Sequence, residues 1–416
     1  MDASARPRSA IPLAVGAAGL AAALAVLHWA FRAELDPALS ALVVMGAAVI
    51  PALVFDGAPK AFRAWRAGRS SSSIARLAIK LVGAFAAIGV AAVAILVFPF
   101  FHRSELAALI GAAPGLALFG LPLLALYIVI ADRVADKPED RLYAVGAATL
   151  GLRYDLNDLT GFALTQAIKL FFFTLMLTYL SQDIAYFRAQ GAPMFDIGDF
   201  AGVERLNRLV FTCDVVLAGL GYFATLSLFG WEVREPDRTL SGWVACLVCY
   251  EPFFNGIGAA FLAYHGPGDW RILFSEGSPA YWGWTGAFLA CNLIYLSATV
   301  AFGPLFSNIT RRGIITSGPY RFTKHPAYLG KNIGWWIYEA PFMLTTAWPN
   351  ALSRGLMLLG VNAIYFMRAR CEERLLAQDP VYRNYAASIA RSGLIARLCR
   401  WLRRHASPQA DKRSAA

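Results

Sequence analysis

Long uninterrupted apolar runs recur along the whole chain, and they constrain its fold more than any other feature. Several of them reach roughly 18–25 residues, enough for a helix to cross about 30 Å of hydrocarbon. The composition agrees, because 58% of the 416 residues are apolar and 16% are charged, against roughly 45–50% and about 25% in soluble domains. We therefore predict an all-α, polytopic integral membrane protein.

Ten of these runs are candidate transmembrane helices. The first follows Arg6 and Arg8, and no clear small-residue cleavage site comes after it, so we expect it to remain as a span. The predicted spans are residues 11–31, 38–55, 78–100, 113–132, 160–180, 208–229, 242–264, 282–303, 328–346 and 351–367.

The net charge of +11 comes from basic residues that fall in alternate loops. With ten spans these loops share one side, which the positive-inside rule makes cytoplasmic. We expect both termini to be cytoplasmic, in a bacterial inner (plasma) membrane, and no nucleic-acid partner, since no basic patch carries interleaved aromatics. The loop residues are Lys60, Arg63, Arg66, Arg69, Arg76, Arg133, Lys137, Arg141, Arg153, Arg234, Arg238, Arg311, Arg312, Arg321 and Lys324.

Some polar features have no clear role in the sequence. The connection near residues 181–207 is acidic and long for a simple turn, whereas the Ser-rich segment 68–73 is typical of a flexible connector. Lys169 and Glu251 lie inside predicted spans, where charges usually have partners. They predict an ion pair, and the alternative is that Lys169 extends its amine along its aliphatic stem to the interface.

The six cysteines do not indicate a metal centre. Cys246 and Cys249 have metal-like spacing, but no second Cys or His pair lies nearby. We therefore expect no metal site.

One polar stretch, residues 318–330, stands between two apolar runs. Gly318-Pro319 is a turn signal, and Pro326 suits the first turn of a helix. The start of a helix offers free N–H groups and partial positive charge, to which Arg321 and Lys324 add formal charge. Gly330 permits close approach to the backbone. The stretch predicts a bound anionic group where the ninth span enters the membrane.

An acidic pair, Glu372-Glu373, follows the tenth span. A helical hairpin formed by the ninth and tenth spans returns this pair to the side of His325. The carboxylates can accept hydrogen bonds from an amine or from ribose hydroxyls, or can pair with Arg321. Nearby aromatic side chains would also favour a positively charged cofactor centre. The residues that extend the cluster are Arg374, Tyr382, Arg383 and Tyr385.

Together these motifs resemble the isoprenylcysteine carboxyl methyltransferase and phospholipid methyltransferase superfamily, over about Asn308 to Tyr385. The resemblance implies an integral membrane enzyme that uses S-adenosylmethionine and takes a lipid-like acceptor from the bilayer. Lys324 stands where the family commonly has Arg, which keeps the charge but loses a planar bidentate donor. The motifs are Gly318-Pro319-Tyr320-Arg321, Lys324-His325-Pro326, Tyr328-Leu329-Gly330, Glu372-Glu373-Arg374-Leu375 and Tyr382-x-x-Tyr385.

The resemblance implies a cofactor pocket, and the residues themselves indicate further candidate roles. His325, Glu372 and Arg383 are the catalytic candidates, and Asn332 and Trp336 are candidate contacts for the acceptor. We expect methyl transfer to an oxygen or nitrogen of an amphipathic, lipid- or isoprenoid-like acceptor. The expected cofactor pocket comprises Tyr320, Arg321, Lys324, His325, Pro326, Tyr328, Leu329, Gly330, Glu372 and Glu373.

Two alternatives remain open. Membrane sterol and steroid reductases that use NADPH carry a similar segment, usually with Asn after His-Pro and an acidic residue after the Gly. Here those positions hold Ala327 and Lys331, although Trp335-Trp336 resembles the reductases. A non-enzymatic transporter or lipid-binding protein is the other alternative, but it leaves the clustering of polar groups unexplained.

The sequence divides into three predicted regions. Residues 1–280 form a multi-span membrane region of unknown role, and residues 281–390 form a methyltransferase-like module. Residues 391–416 contain a basic amphipathic helix that suits the anionic cytoplasmic leaflet, followed by a disordered tail from Ser407. The alternative for this last region is a merely solvated basic tail.

Overall fold

The computed structural model describes residues 7–68, 72–98, 106–190, 199–265 and 270–406, and helices dominate them. This confirms the all-α class. Two short strands, β1 Glu235–Pro236 and β2 Thr310–Arg311, pair antiparallel. The helices are α1 Leu13–Ala30, α2 Pro37–Ala52, α3 Ala58–Ala67, α4 Ile74–Val97, α5 Ala107–Val134, α6 Arg141–Thr149, α7 Leu156–Gln190, α8 Phe200–Phe223, α9 Leu240–Leu247, α10 Phe253–Phe261, α11 Pro279–Phe302, α12 Pro326–Thr345, α13 Trp348–Leu376, α14 Pro380–Ser392 and α15 Leu394–Ala406.

Seven segments in the described part of the chain are long and apolar enough to cross a membrane. They are α1, the continuous α2–α3 segment, α4, α5, α7, α8 and the segment Pro279–Leu305, and each overlaps a predicted span. The protein is therefore a multi-pass integral membrane protein. The predicted count of ten spans is not confirmed.

The three remaining predicted spans differ from this pattern. Segment 242–264 forms two short helices, α9 and α10, because Pro252 lacks an amide hydrogen and its ring obstructs the preceding turn. The helices α12 and α13 are long enough, at 20 and 29 residues. They are not among the seven apolar segments, because polar residues, including those of the candidate site, lower their mean hydropathy.

The chain packs as two units, each made of separate pieces of sequence. One contains Ala14–Ala260 and Phe302–Arg312, and the other contains Met1–Leu13, Phe261–Ala301 and Gly313–Ala416. In the first unit α4 packs against α6, and α2 against α7 and α8; in the second, α12 packs against α13. The predicted region boundaries at residues 280 and 390 stay predictions.

The acidic connection between α7 and α8 is shorter than the sequence predicted, because both helices extend into it. Asp183 lies on α7 and accepts hydrogen bonds from Arg208 at 2.7 Å and from Thr212 at 2.8 Å. Asp199 caps α8 through the amide of Gly202. Asp196 and residues 69–71 of the Ser-rich connector lie outside the described residues.

Two predictions about individual charges do not hold. Among the described residues no ion pair joins Lys169 to Glu251, whose carboxylate accepts a hydrogen bond from Asn255 at 3.0 Å. Arg312, expected as a loop charge, is buried and donates to the carbonyls of Gly221 and Phe306 at 2.7 and 2.9 Å. It connects α8 to the chain that follows α11.

A buried ion cluster joins α4, α5 and α6. The carboxylate of Asp132 is fully buried and lies 2.8 Å from Arg76 and 3.0 Å from Lys80. Lys80, whose side chain is 2% exposed, also lies 2.8 Å from Asp140. Buried charges are tolerated when they are paired in this way, and removing one partner leaves the other uncompensated.

Replacing Asp132 with Asn should destabilise the fold strongly. It leaves the buried Lys80 short of negative charge, so we expect a loss of about 3–5 kcal/mol in the free energy of unfolding. The matched control is Asp158→Asn, which breaks a pair with the 63% exposed Lys137 and should cost about 0–1 kcal/mol. Thermal unfolding in detergent measures both, and equal effects would contradict the prediction.

Candidate active site

A hairpin of α12 and α13 builds the site. Pro326 is the first residue of α12, where a fixed φ and a missing amide hydrogen cost nothing. The chain runs away from the candidate site through α12 and returns through the longer α13, so the last turns of α13 lie beside the start of α12. The predicted return of Glu372 and Glu373 to His325 is what the structure shows.

Glu373 is the anchor for two residues that precede α12. Its Oε1 lies 3.0 Å from Nε2 of His325 and 2.5 Å from Nζ of Lys324. Arg370, one turn earlier on α13, lies 3.9 Å from its Oε2. The hydrogen bonds from His325 and Lys324 outweigh partial burial and lower the pKa of Glu373 to about 2. Glu373 is therefore a fixed negative charge at neutral pH.

Glu372 holds the first turn of α12. The hydroxyl of Tyr328 donates a hydrogen bond to its Oε1, and Nε of Arg368 lies 3.3 Å from the same oxygen. Nδ1 of His325 lies 3.8 Å from Oε2. Glu372 therefore contacts Tyr328 and Arg368, whereas Glu373 contacts Lys324. Both carboxylates also lie near a ring nitrogen of His325.

Aromatic rings form a wall next to the carboxylates. The rings of His325 and Tyr328 are parallel, with centroids 5.5 Å apart. Tyr365 on α13 lies edge-on to Tyr328 at 5.3 Å and to Trp335 at 5.2 Å. The buried guanidinium of Arg368 lies 5.3 Å from the centre of the Tyr328 ring. Such faces attract cations.

Helix α14 fixes the loop that leads into the site. The hydroxyl of Tyr385 donates to the carbonyls of Tyr320 at 2.9 Å and Thr323 at 3.2 Å. Tyr320 itself is buried. Gly318 opens the loop at a φ of 58°, a conformation that glycine adopts without strain.

The hydroxyl of Tyr382 is a buried polar group with no hydrogen-bond partner in the described structure. Burial raises the pKa of this phenol, and the nearby carboxylate of Glu373 raises it further. A buried hydroxyl without a hydrogen bond costs about 1–3 kcal/mol. The Tyr382 hydroxyl is therefore a donor that is available to a bound ligand.

Both predicted acceptor residues belong to one polar chain between α12 and α13. Asn362 on α13 accepts a hydrogen bond from the indole N–H of Trp336 at 2.7 Å and donates to Asn332 at 2.5 Å. Asn332 in turn donates to the carbonyl of Tyr328 at 2.7 Å. Asn362 was not among the residues predicted from the sequence, although an amide within the apolar run 351–367 was a usable signal.

Two further residues of the site were also missing from the sequence prediction. Arg368 and Tyr365 are buried on α13 and contact Tyr328. Arg368 stands four residues before Glu372, a spacing that places both on one face of a helix, so this signal was available. Tyr365 carried no comparable signal, because an aromatic residue in an apolar run usually packs in the core.

Other predicted residues lie at the edge of the cluster. A side chain at Gly330 would come within 2.7 Å of the carbonyl of Cys291 on α11, so this glycine permits close helix packing. Leu329 and Arg321 are exposed. Arg383 is also exposed, and it donates to the carbonyl of Ala377 at the end of α13 at 2.8 Å. Within the described ranges no cluster of three or more His, Cys, Asp or Glu side chains could hold a metal ion.

The fold and the site define a multi-pass membrane protein with an acid–imidazole cluster at the open end of a helical hairpin. Residues 284–378 match the sequence model of the isoprenylcysteine carboxyl methyltransferase family, which confirms the resemblance drawn from the motifs. The match spans α11 to the end of α13 and supports a membrane methyltransferase. No curated protein and no solved structure matches the chain.

The pairing of Glu373 predicts a specific dependence of stability on pH. A carboxylate whose folded pKa is about 2 rather than 4.5 stabilises the fold above the unfolded pKa, and this contribution disappears as pH falls from about 4.5 towards about 2. Thermal unfolding should therefore show wild type losing stability faster than Glu373→Gln between about pH 5 and about pH 2.5.

The control for this titration is Glu276→Gln, because Glu276 is 46% exposed and its oxygen lies 3.7 Å from Arg271. Its stability should follow that of wild type at each pH. A constant gap between wild type and Glu373→Gln over the acid range would contradict the assigned pairing.

Proposed function

We propose that this membrane methyltransferase transfers a methyl group from S-adenosylmethionine to an oxygen or nitrogen of an amphipathic acceptor. The acceptor is a lipid- or isoprenoid-like molecule that enters from the bilayer. One observation carries the proposal: within the family-matched segment, His325 and Tyr328 meet the carboxylates of Glu373 and Glu372. A reductase or a non-enzymatic role has no comparable support.

The charged groups of the site suit this cofactor. S-adenosylmethionine carries an ammonium group and ribose hydroxyls, for which Glu372 and Glu373 are the acceptors. It also carries a carboxylate, for which Lys324 and the first-turn amides of α12 are the donors. The side chain of His325, the residue that precedes α12, does not cap that turn, and the positive end of a helix favours a negatively charged group.

The aromatic groups suit it as well. The rings of Tyr328 and Tyr365 already lie against one cation, the guanidinium of Arg368, and an aromatic cluster of this kind also favours a sulfonium cation beside it. Tyr382 adds a buried hydroxyl without a hydrogen-bond partner in the described structure, which a cofactor heteroatom would satisfy.

When bound, the cofactor supplies an electrophilic methyl group on sulfur. The residues of the hairpin orient the acceptor and exclude water, and such positioning contributes on the order of 7–11 kcal/mol in favourable cases. A carboxylate acceptor needs no strong base. A hydroxyl or amine acceptor must lose a proton, and His325 or Glu372 is the group that would accept it.

Asn332, Asn362 and Trp336 belong to the acceptor side of the site in this proposal. Their hydrogen-bond chain runs along α12 away from the carboxylates, and it places polar groups on helices whose outer faces are apolar. An acceptor with a polar head and an apolar tail matches that combination. We place the carboxylate end of the hairpin on the cytoplasmic side, where the cofactor is available.

Binding of S-adenosylhomocysteine tests the cofactor assignment. Calorimetry on the purified protein in detergent should show micromolar binding of this product and no binding of NADPH. His325→Ala removes a partner of both carboxylates, and Glu373→Gln removes the anchor of Lys324 and His325, so each should weaken binding at least about tenfold, or about 1.4 kcal/mol.

Two exposed positions provide matched controls for this experiment. His28→Ala and Glu276→Gln change exposed side chains on α1 and before α11, and they should bind as wild type does. NADPH binding would move the assignment to the reductases. Absence of binding by a folded sample would leave a family fold without its cofactor.

Asn362→Leu should separate acceptor binding from cofactor binding. It preserves side-chain size but removes both hydrogen bonds to Trp336 and Asn332, each worth about 0.5–1.5 kcal/mol. With radiolabelled S-adenosylmethionine and total lipid extract of the host membrane, we expect the half-saturating lipid amount to rise. Affinity for S-adenosylhomocysteine should stay unchanged.

The control is Asn350→Leu, at an exposed position in the first turn of α13. It should leave both quantities as they are in wild type. If Asn362→Leu instead weakens cofactor binding and leaves the lipid dependence intact, the acceptor assignment is wrong.

A further inference from the structure

Helix α15 has one apolar face and one basic face. At about 100° per residue, its five large apolar side chains cover an arc of about 120°, and three arginines cover an arc of similar width on the opposite side. The apolar residues are Leu394, Ile395, Leu398, Trp401 and Leu402, and the arginines are Arg397, Arg400 and Arg403.

The apolar face is not covered by protein within the described part of the chain. Its five side chains are between 50% and 74% exposed, and Ile395 is the most exposed of them. They form one continuous surface on a single helix. Contiguous exposed apolar surface of this kind marks a contact site.

The charges select the partner that fits this surface. Helix α15 contains arginines and no Asp or Glu, so an anionic partner complements its basic face. A second copy of α15 would cover the apolar face but would leave the basic faces of both helices without negative charge. A lipid surface with anionic headgroups offers an apolar layer below and negative charge above, which matches both faces at once. The chain is already membrane-embedded, so such a surface is close at hand.

Helix α15 is tied to the loop that leads into the candidate site. The amide of Leu394 donates to the carbonyl of Phe322 at 2.7 Å, and the guanidinium of Arg397 lies 6.0 Å from the centre of the Phe322 ring. Phe322 stands two residues before Lys324. A displacement of α15 would therefore move the loop that carries Lys324 and His325.

We propose that α15 docks on an anionic lipid leaflet, and that this docking holds the loop at residues 318–325 in place. The amphipathic surface defines the lipid contact, and the hydrogen bond from Leu394 to Phe322 transmits it. The lipid composition of the leaflet thereby regulates the order of the site. The proposal goes beyond the proposed function and does not depend on the identity of the cofactor.

A probe at Cys399 tests the lipid contact. This exposed cysteine lies at the border of the apolar face, and Cys249→Ser and Cys371→Ser remove the two other cysteines that are not buried. Spin-labelled full-length protein is placed in nanodiscs of phosphatidylcholine, with or without phosphatidylglycerol. We expect the label to become shielded from an aqueous relaxation agent only when phosphatidylglycerol is present.

Two pairs of variants sharpen this test. Ile395→Gln places a polar group on the apolar face without removing packing from the protein, and Ala396→Gln is its match on the basic face. Arg403→Glu reverses a charge that Arg403→Lys preserves. Ile395→Gln and Arg403→Glu should restore aqueous exposure of the label, whereas Ala396→Gln and Arg403→Lys should not.

Hydrogen exchange reports the link to the loop. The amides of Tyr320 and Phe322 should exchange several-fold more slowly on anionic nanodiscs in wild type, but not in Ile395→Gln. Equal label depth in both lipids, or short label-to-label distances that show pairing of two copies, would overturn the lipid contact. Amide exchange at Tyr320 and Phe322 that is equally slow on both lipid compositions would overturn the link between α15 and the loop.

Discussion

The contact between two adjacent carboxylates and the start of one helix organises the second unit of this protein. Glu372 and Glu373 lie in the last turns of α13, beside the positive end of α12, where negative charge is favoured. Lys324, His325 and Tyr328 add three charge-assisted hydrogen bonds. If α13 ended one turn earlier, these groups would have no partner, and the loop before α12 would lose its anchor.

The rest of the second unit supports that contact. Tyr385 holds the loop from one side, and Gly330 lets α12 approach α11 closely from another. Asn362 joins the two arms of the hairpin further along. Each of these restricts how α12 can rotate or slide, and rotation of α12 by one residue would move Tyr328 by about 100°. The carboxylates therefore meet a surface whose geometry is already set.

The first unit also contains charged groups, and these are buried and paired within the protein. Asp132, Lys80 and Arg312 are buried charges, and each is satisfied, by opposite charges in one case and by backbone carbonyls in another. In a low-dielectric interior an unpaired charge is costly, so such groups persist where partners are fixed. These clusters hold helices together, whereas the cluster at α12 and α13 combines two carboxylates and an imidazole with the hydroxyl of Tyr382, which has no hydrogen-bond partner in the described structure.

The sequence alone determined the class of protein and the location of the candidate site. Lengths of apolar runs are local properties, and so are the turn, the helix start at Pro326 and the acidic pair after α13, which is why the hairpin and the family resemblance were readable. Only the tertiary structure decided the partners. His325 and Glu373 are 48 positions apart, and whether they touch depends on helix rotation. The burial of Arg312 and the packing of Gly330 against α11 were equally hidden, because each depends on what packs opposite. The amide of Asn362 and the break at Pro252 had local signals that the sequence prediction did not use.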